Sequence, residues 1–208
     1  FAVIGNGTTT NGVLVGATGS AALTNCIIRN AGSYGARFEP TLAGRTLSLT
    51  NCTLNSNGSH GVSTAATSGA AGTVTVTNSI ITNQSWGVVR GDASTVTVTY
   101  SDVWSNTSGN YSSVTPGAGV ISANPQYVSA TDLRLQSTSV CIDAGTAAGA
   151  PATDLLRTSR PLNGDGLNGA EFDLGAYEFV LSVVCGNGAV EPGEACDSGA
   201  ANGTYGNC

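Results

Sequence analysis

Side chains that could do acid–base chemistry are scarce in residues 1–128 of this sequence. The acids there are Glu39, Asp92 and Asp102, and His60 is the only histidine of the chain. Cleavage of a polysaccharide needs two carboxylates that flank the bond, or a cation with a basic residue that removes a proton from the sugar. These acids fall at different positions of the sequence repeat, and arginines beside them, such as Arg37 and Arg90, are typical of surface ion pairs. We predict no catalytic residues in this part of the chain.

Three rings recur at one aligned position and indicate a different chemistry. Tyr34, His60 and Trp86 are spaced 26 residues apart, and each is followed by glycine. Rings that stand in a column present flat apolar faces to a sugar chain, while tyrosine and tryptophan keep a polar group in water. Rings that pack against one another explain the same pattern. Carbohydrate stacking on these three residues is therefore a hypothesis with a structural alternative.

An acid-rich stretch near the C-terminus has oxygen ligands at spacings loosely like those of a calcium loop. Its members are Asn163, Asp165, Asn168, Glu171 and Asp173. Calcium prefers carboxylate and amide oxygens. Asp and Asn also satisfy backbone groups in tight turns, so calcium is the one cofactor that we consider, and no other is expected.

Five of the six cysteines fall into two groups. Cys26 and Cys52 occupy one position of the repeat, at a separation that a disulfide tolerates. The pattern fits a disulfide bridge and a pair of stacked free thiols equally well. Cys185, Cys196 and Cys208 fall in the last 24 residues, and such clustering favours disulfides and an oxidising, extracellular location.

These candidates belong to a sequence repeat. The segments LTNCIIRNAGSYG from Leu23, LTNCTLNSNGSHG from Leu49 and VTNSIITNQSWG from Val76 align, and VTYSDVWSN from Val98 is a weaker copy. The intervals between Asn25, Asn51, Asn78 and Tyr100 are 26, 27 and 22 residues. A period in this range is typical of a solenoid, in which each repeat forms one coil.

Each repeat predicts two short strands. Alternation in TLSLT, TVTVT and TVTVT before the corner directs one set of side chains inward: Leu47, Leu49, Val74, Val76, Val96 and Val98. A second strand carries Ile28, Leu54, Ile81 and Val103 inward. Coils stacked about 4.8 Å apart would let Asn25, Asn51 and Asn78 hydrogen-bond to one another as a structural ladder. The pattern predicts an all-β parallel β-helix.

Charge and hydropathy exclude some functions. The chain has 208 residues, 29 glycines, 10% charged residues and a formal net charge of -6. No basic face exists to bind a phosphate backbone, so nucleic acid is not an expected partner. The longest apolar run, FVLSVV from Phe179, is too short to cross a bilayer, and no transmembrane segment is predicted.

Residues 12–129 resemble the right-handed parallel β-helix repeat proteins of the pectin-lyase-like superfamily. The stretches NPQYVSATDLRLQSTSVCIDAGT from Asn124 and RPLNGDGLNGAEFDLGAYEF from Arg160 are similar to the end region of choice-of-anchor β-helix proteins. That resemblance implies a segment that closes the helix. Cys141 stands where proline or serine is usual.

Residues 185–208, CGNGAVEPGEACDSGAANGTYGNC, resemble the cysteine-rich repeat of myxobacterial surface proteins. The resemblance implies that Cys185 and Cys196 pair within this module or with cysteines outside it, which leaves Cys208 without its usual partner. Both ends of the chain are expected to be cuts in a longer polypeptide. The resemblance further implies an extracellular or bacterial cell-surface location.

The predicted organisation is parallel β-helix coils over 1–128, a closing segment over 129–180 and a truncated cysteine-rich module over 181–208, which would make a small disulfide-containing C-terminal segment. We expect a non-catalytic extracellular module that binds a polysaccharide or cell-surface glycan. A polysaccharide lyase or glycoside hydrolase is the first alternative, and a structural spacer is the second. The pattern does not predict an oligomeric state.

Overall fold

The structure, a computed structural model, describes residues 1–8, 10–66, 68–167 and 169–181. Its strands form three sheets in which neighbouring strands are parallel. Sheet A contains β1 (Ala2–Ile4), β4 (Ile27–Arg29), β7 (Thr53–Asn55), β10 (Ile80–Thr82) and β13 (Asp102–Trp104). Sheet B contains β2 (Val13–Ala17), β5 (Ala36–Pro40), β8 (His60–Thr64), β11 (Trp86–Arg90) and β14 (Gly109–Ser112). Sheet C contains β3 (Ala21–Thr24), β6 (Thr46–Thr50), β9 (Thr73–Thr77) and β12 (Thr95–Thr99). The predicted all-β parallel solenoid is confirmed, with about four coils.

The core fills the interior of the solenoid. Leu47 of β6 pairs in register with Val74 of β9, and Leu49 pairs with Val76, so equivalent side chains stack on one another. The side chains that the alternation directed inward are fully buried, except that Val96 is half-buried. Each square ångström of apolar surface removed from water contributes roughly 25 cal/mol, which makes this stack the main stabilising element of the coils.

Each strand of sheet A from β4 onward lies between two corners with left-handed backbone. At the preceding corner, φ is 51° at Asn25, 50° at Asn51, 50° at Asn78 and 43° at Tyr100. At the following corner, φ is 56° at Asn30, 55° at Ser56, 62° at Asn83 and 55° at Ser105. Asparagine tolerates this conformation better than most L-residues do, which explains why it recurs where the chain turns.

The residues from 124 onward, which we call the C-terminal segment, are irregular. Their described part contains isolated antiparallel bridges, such as Tyr127 with Leu135 and Leu162 with Glu171. The C-terminal segment lies along the outer face of sheet A, where Leu133 packs with Ile27 of the coils. The sequence resemblance implied a segment that closes the helix. The structure places it along the side of the coils, where it covers the outward isoleucines Ile27 and Ile80 of sheet A.

A buried polar network holds the C-terminal segment together. Arg160 Nε lies 3.2 Å from Glu178 Oε2, and both side chains are almost inaccessible to solvent. Glu178 Oε1 accepts a hydrogen bond from the Leu162 amide at 2.9 Å. The Asp173 carboxyl group accepts hydrogen bonds from the backbone amides of Asp143 and Phe179. Burial, together with the nearby Glu178 carboxylate, raises the pKa of Asp173 to about 8.

Candidate functional site

The three predicted rings lie at one end of the strands of sheet B. His60 and Trp86 are the first residues of β8 and β11 and pair in register, and Tyr34 precedes β5. The Tyr34 and His60 rings stack with their centroids 4.9 Å apart and their planes 14° apart. All three side chains are half-buried. The structure therefore brings the rings together on successive coils, with one face of Tyr34 against His60.

The glycine after each ring is required by the close approach of neighbouring coils. A Cβ atom on Gly61 would lie 2.7 Å from the carbonyl oxygen of Gly87, which is closer than real Cβ contacts allow. Gly109 in the next coil leaves room for the Trp86 ring, since a Cβ atom on Gly109 would lie 2.6 Å from that ring. The indole thus rests on the backbone of the coil beyond it.

An ion pair borders the rings. The Arg37 guanidinium carbon lies 4.2 Å from the centroid of the Tyr34 ring, a cation–π geometry. Arg37 Nε also donates to Glu39 Oε1. Burial and the charge of Arg37 lower the pKa of His60, which keeps its imidazole neutral at physiological pH. Ser59 Oγ lies 2.6 Å from His60 Nδ1 and fixes the ring.

We call Tyr34, Arg37, Glu39, His60 and Trp86 the ring face. It combines flat aromatic surface with a charged hydrogen-bond donor, Arg37, and a charged acceptor, Glu39, whose charges offset each other. Such a mixture of apolar surface and a few placed polar groups is typical of sites that bind neutral or weakly charged organic ligands.

The acids of the coils lie apart from one another. Glu39 belongs to the ring face, whereas Asp92 accepts hydrogen bonds from Thr64 Oγ1 and the Ala66 amide, each at 2.7 Å. Asp102 is buried on the outer side of sheet A, where the Cys141 thiol lies 3.7 Å from its Oδ2. Burial raises the pKa of Asp102 to about 7. This geometry does not form the paired carboxylates that hydrolysis of a glycosidic bond uses.

The proposed calcium residues differ in exposure in the part of the chain that the structure describes. Asn163, Asp165 and Glu171 are exposed, whereas Asp173 is buried and bonded to backbone amides. Asn168 lies outside the described residues. Within residues 1–8, 10–66, 68–167 and 169–181, no group of three His, Cys, Asp or Glu side chains could hold a metal ion.

The predicted asparagine ladder has a second role. One bond of the ladder is present, from Asn78 Nδ2 to Asn51 Oδ1 at 3.4 Å. The other amide bonds bind the backbone of the C-terminal segment: Asn25 donates to Thr153 O at 2.6 Å, Asn51 to Asp173 O at 3.0 Å and Asn78 to Thr146 O at 2.7 Å. These corners therefore dock that segment onto the coils.

A buried amide ladder that sequence reasoning missed lies six residues after each corner. Asn57 Nδ2 donates to Gln84 Oε1 at 2.8 Å, and the backbone N–H of Gln84 donates to Asn106 Oδ1 at 3.1 Å. Each side-chain NH2 group also reaches a carbonyl of the preceding coil, as Gln84 does to Leu54 at 2.9 Å. The constant offset from Asn51, Asn78 and Tyr100 was visible in the sequence, but variation between Asn and Gln obscured it.

Of the cysteines in the described residues, Cys26, Cys52 and Cys141 are free and buried. Cys185, Cys196 and Cys208 lie outside those residues, and so does the module to which they were assigned. The described residues also include no helix with the length and apolar character that a membrane crossing requires.

Stacked parallel coils with inward aliphatic columns and asparagine corners define a parallel β-solenoid. Residues 9–141 match the model of the family described as right handed beta helix region. The match covers more than half of the chain, so this protein belongs to the right-handed β-helix family. No curated protein and no solved structure matches the chain.

Proposed function

We propose that this protein is a non-catalytic β-helix module of an extracellular or cell-surface protein, and that it binds a polysaccharide or cell-surface glycan through the ring face. The observation that carries the proposal is the placement of three half-exposed rings on successive coils, beside the Arg37–Glu39 pair. Aromatic rings supply apolar surface for the faces of sugars, and the ion pair supplies donors and acceptors for hydroxyl groups.

The geometry favours an extended ligand over a small one. Because the coils repeat along the solenoid axis, the rings follow one another along a line on sheet B. A polymer can lie along the whole line of rings, which is longer than one sugar. His60 and Arg37 both lie against the Tyr34 ring, which makes Trp86 the ring expected to contribute most.

Binding is favoured over cleavage because Glu39 is bonded to Arg37 and the other two acids of the coils lie elsewhere. A lyase would need an unpaired base beside the bound sugar. Incubation with uronic-acid polymers tests this alternative, since elimination yields unsaturated products that absorb ultraviolet light. Their appearance would replace the binding proposal with the enzyme.

A glycan array followed by titration of the best ligand tests the binding proposal. Trp86→Ala should weaken binding about tenfold or more, as expected for loss of an aromatic anchor. Trp104→Ala is the matched control, because Trp104 is half-buried too but belongs to β13 of sheet A. Equal affinity of Trp86→Ala and wild type, or no glycan bound at all, would leave the structural spacer as the function.

A further inference from the structure

Two sulfur atoms occupy a ladder whose other members are hydroxyl groups. Cys26, Cys52, Ser79 and Ser101 each follow a left-handed corner residue. The thiols of Cys26 and Cys52 point to the carbonyls two residues earlier, at 3.3 Å and 3.4 Å. Ser79 and Ser101 make the same bond at 2.9 Å and 2.8 Å. The ladder thus accepts either sulfur or oxygen without a change in the corner.

The backbone places the two cysteines on adjacent strands in register. Thr53 N donates to Cys26 O at 2.8 Å, and Ile27 of β4 pairs with Thr53 of β7 directly after them. Neighbouring parallel strands are about 4.8 Å apart, and the Cα atoms of a disulfide are usually about 4.4–6.8 Å apart. The Cys52 thiol lies 3.4 Å from Leu23 O in the coil of Cys26, so its sulfur atom faces that coil.

We propose that Cys26 and Cys52 form a disulfide that cross-links two neighbouring coils when the folding protein meets a disulfide oxidant such as oxidised glutathione. The cross-link is independent of glycan binding. It converts two core thiols into a covalent tie between turns of the solenoid.

The exchange follows ordinary thiol–disulfide chemistry. The Cys26 thiolate attacks the oxidant disulfide, forms a mixed disulfide and releases one glutathione thiolate. Cys52 then loses its proton and attacks Cys26 Sγ, which forms the protein disulfide and releases the second glutathione. The protein loses two electrons, and its two thiol protons end on the two glutathione molecules. Contact with Cys52 lowers the pKa of Cys26 to about 7, which makes Cys26 the first nucleophile.

The arginines of the chain allow a direct test. Trypsin cleavage after Arg29, Arg45 and Arg90 places Cys26 in peptide 1–29 and Cys52 in peptide 46–90. The reduced protein is refolded from urea in oxidised glutathione, then unfolded in N-ethylmaleimide and digested. Mass spectrometry should detect the two peptides as one linked species that lacks both thiol hydrogens and separates on reduction. The midpoint temperature of unfolding should rise by roughly 5–10 °C on oxidation.

Serine variants provide the controls. Cys26→Ser and Cys52→Ser should fold, because Ser79 and Ser101 occupy the same position in later coils, and each should abolish the linked species. Cys141→Ser should retain it, since Cys141 lies on the outer face of sheet A against Asp102. Recovery of Cys26 and Cys52 with maleimide attached would overturn the proposal. Equal yields of the linked species from protein refolded in oxidised glutathione and from protein kept in urea with it would also overturn the proposal, because the fold would then contribute nothing.

Discussion

In the coils, equivalent residues stack on one another, whereas each residue of the C-terminal segment makes its own contacts without a repeat. Leu49 lies on Val76, and Asn57 binds Gln84 one coil later. In the C-terminal segment, by contrast, the buried Arg160–Glu178 pair forms a single contact that no neighbour repeats. A coil that loses one contact keeps its equivalents above and below, but the C-terminal segment has no such reserve.

Partly exposed and buried carboxylates of the molecule also differ. Burial opposes ionisation of Asp92 at the corner after β11, but hydrogen bonds from Ser94, Thr64 and Ala66 outweigh it and lower its pKa. In the C-terminal segment, burial dominates and raises the pKa of Asp173 to about 8. Asp92 is therefore stabilised as an anion at an exposed edge, while the buried acids Asp102 and Asp173 are stabilised as neutral groups.

The largest effect is expected from breaking the buried ion pair. Arg160→Ala removes the partner of Glu178 and leaves a carboxylate inside the protein, which should lower the free energy of unfolding by about 3–5 kcal/mol. Urea unfolding at pH 8 measures it. The loss should be smaller at pH 4.5, because burial raises the pKa of Glu178 and the isolated carboxyl group is then protonated.

Arg134→Ala is the matched control for that variant. Arg134 pairs with Asp132 at 2.5 Å, but the pair is exposed, and exposed pairs contribute little to stability. The control should unfold at the same urea concentration as wild type. Equal losses in the two arginine variants would contradict the importance of burial.

Truncation of the coil core should have the next largest effect. Leu49→Ala leaves a cavity beside Val76 in the fully buried stack, and we expect a loss of about 2–5 kcal/mol. Thr97→Ala on the exposed side of β12 is the control and should change stability little. If Leu49→Ala unfolds in one transition that includes the C-terminal segment, the two regions form one cooperative unit.

The pH dependence of stability should report the two buried acids, Asp102 of the coils and Asp173 of the C-terminal segment. The pKa is raised to about 7 at Asp102 and to about 8 at Asp173, so the folded protein keeps protons that the unfolded chain releases above about pH 4. The free energy of unfolding should therefore fall as pH rises from about 4 to about 8, by a few kcal/mol. Urea midpoints across this range measure the slope.

Asp102→Asn provides the control for the pH series. Its Oδ1 can still accept the Ala123 amide, which lies 3.1 Å away, but it has no proton to release. The variant should lose the part of the slope between about pH 4 and pH 7. An unchanged slope would mean that Asp102 does not keep its proton in the folded protein.

The smallest effect concerns the docking corner. Asn51→Ala removes the bond to Asp173 O and places alanine at a φ of 50°. The free energy of unfolding should fall by about 2 kcal/mol, because the variant loses a hydrogen bond and strains the backbone. Asn51→Gly relieves the strain alone and should recover about 1 kcal/mol.

Limited trypsin digestion then shows which region loosens. Cleavage after the exposed Arg157 should be faster in Asn51→Gly than in wild type, since docking is weakened. Cleavage after Arg37, which lies in β5, should be unchanged. Faster cleavage at both sites would assign Asn51 to the stability of the coils rather than to docking.

Sequence reasoning worked best where the chain repeats. The alternation in β6, β9 and β12 predicted which side chains face inward, because a strand has a fixed period of two. The aligned glycines led to the rings of the ring face. The Arg37–Glu39 pair beside Tyr34 was considered only as a surface pair, since nothing in the spacing reveals that its guanidinium lies over a ring.

Local patterns did not predict the contacts of the C-terminal segment. Asp173 was considered both as a calcium ligand and as a turn residue that satisfies backbone groups, and in the structure it accepts hydrogen bonds from two backbone amides. The docking role of Asn25, Asn51 and Asn78 was also not foreseen, because their partners lie between 68 and 128 residues away in the chain.

The amino-acid sequence by itself determined the coils of this protein: their period, their inward columns and the asparagine corners, all of which arise from backbone geometry and local alternation. Only the tertiary structure decided which outer faces are covered. The C-terminal segment hides the outer face of sheet A and leaves the ring face of sheet B accessible, and that choice depends on contacts between distant residues that no local pattern encodes.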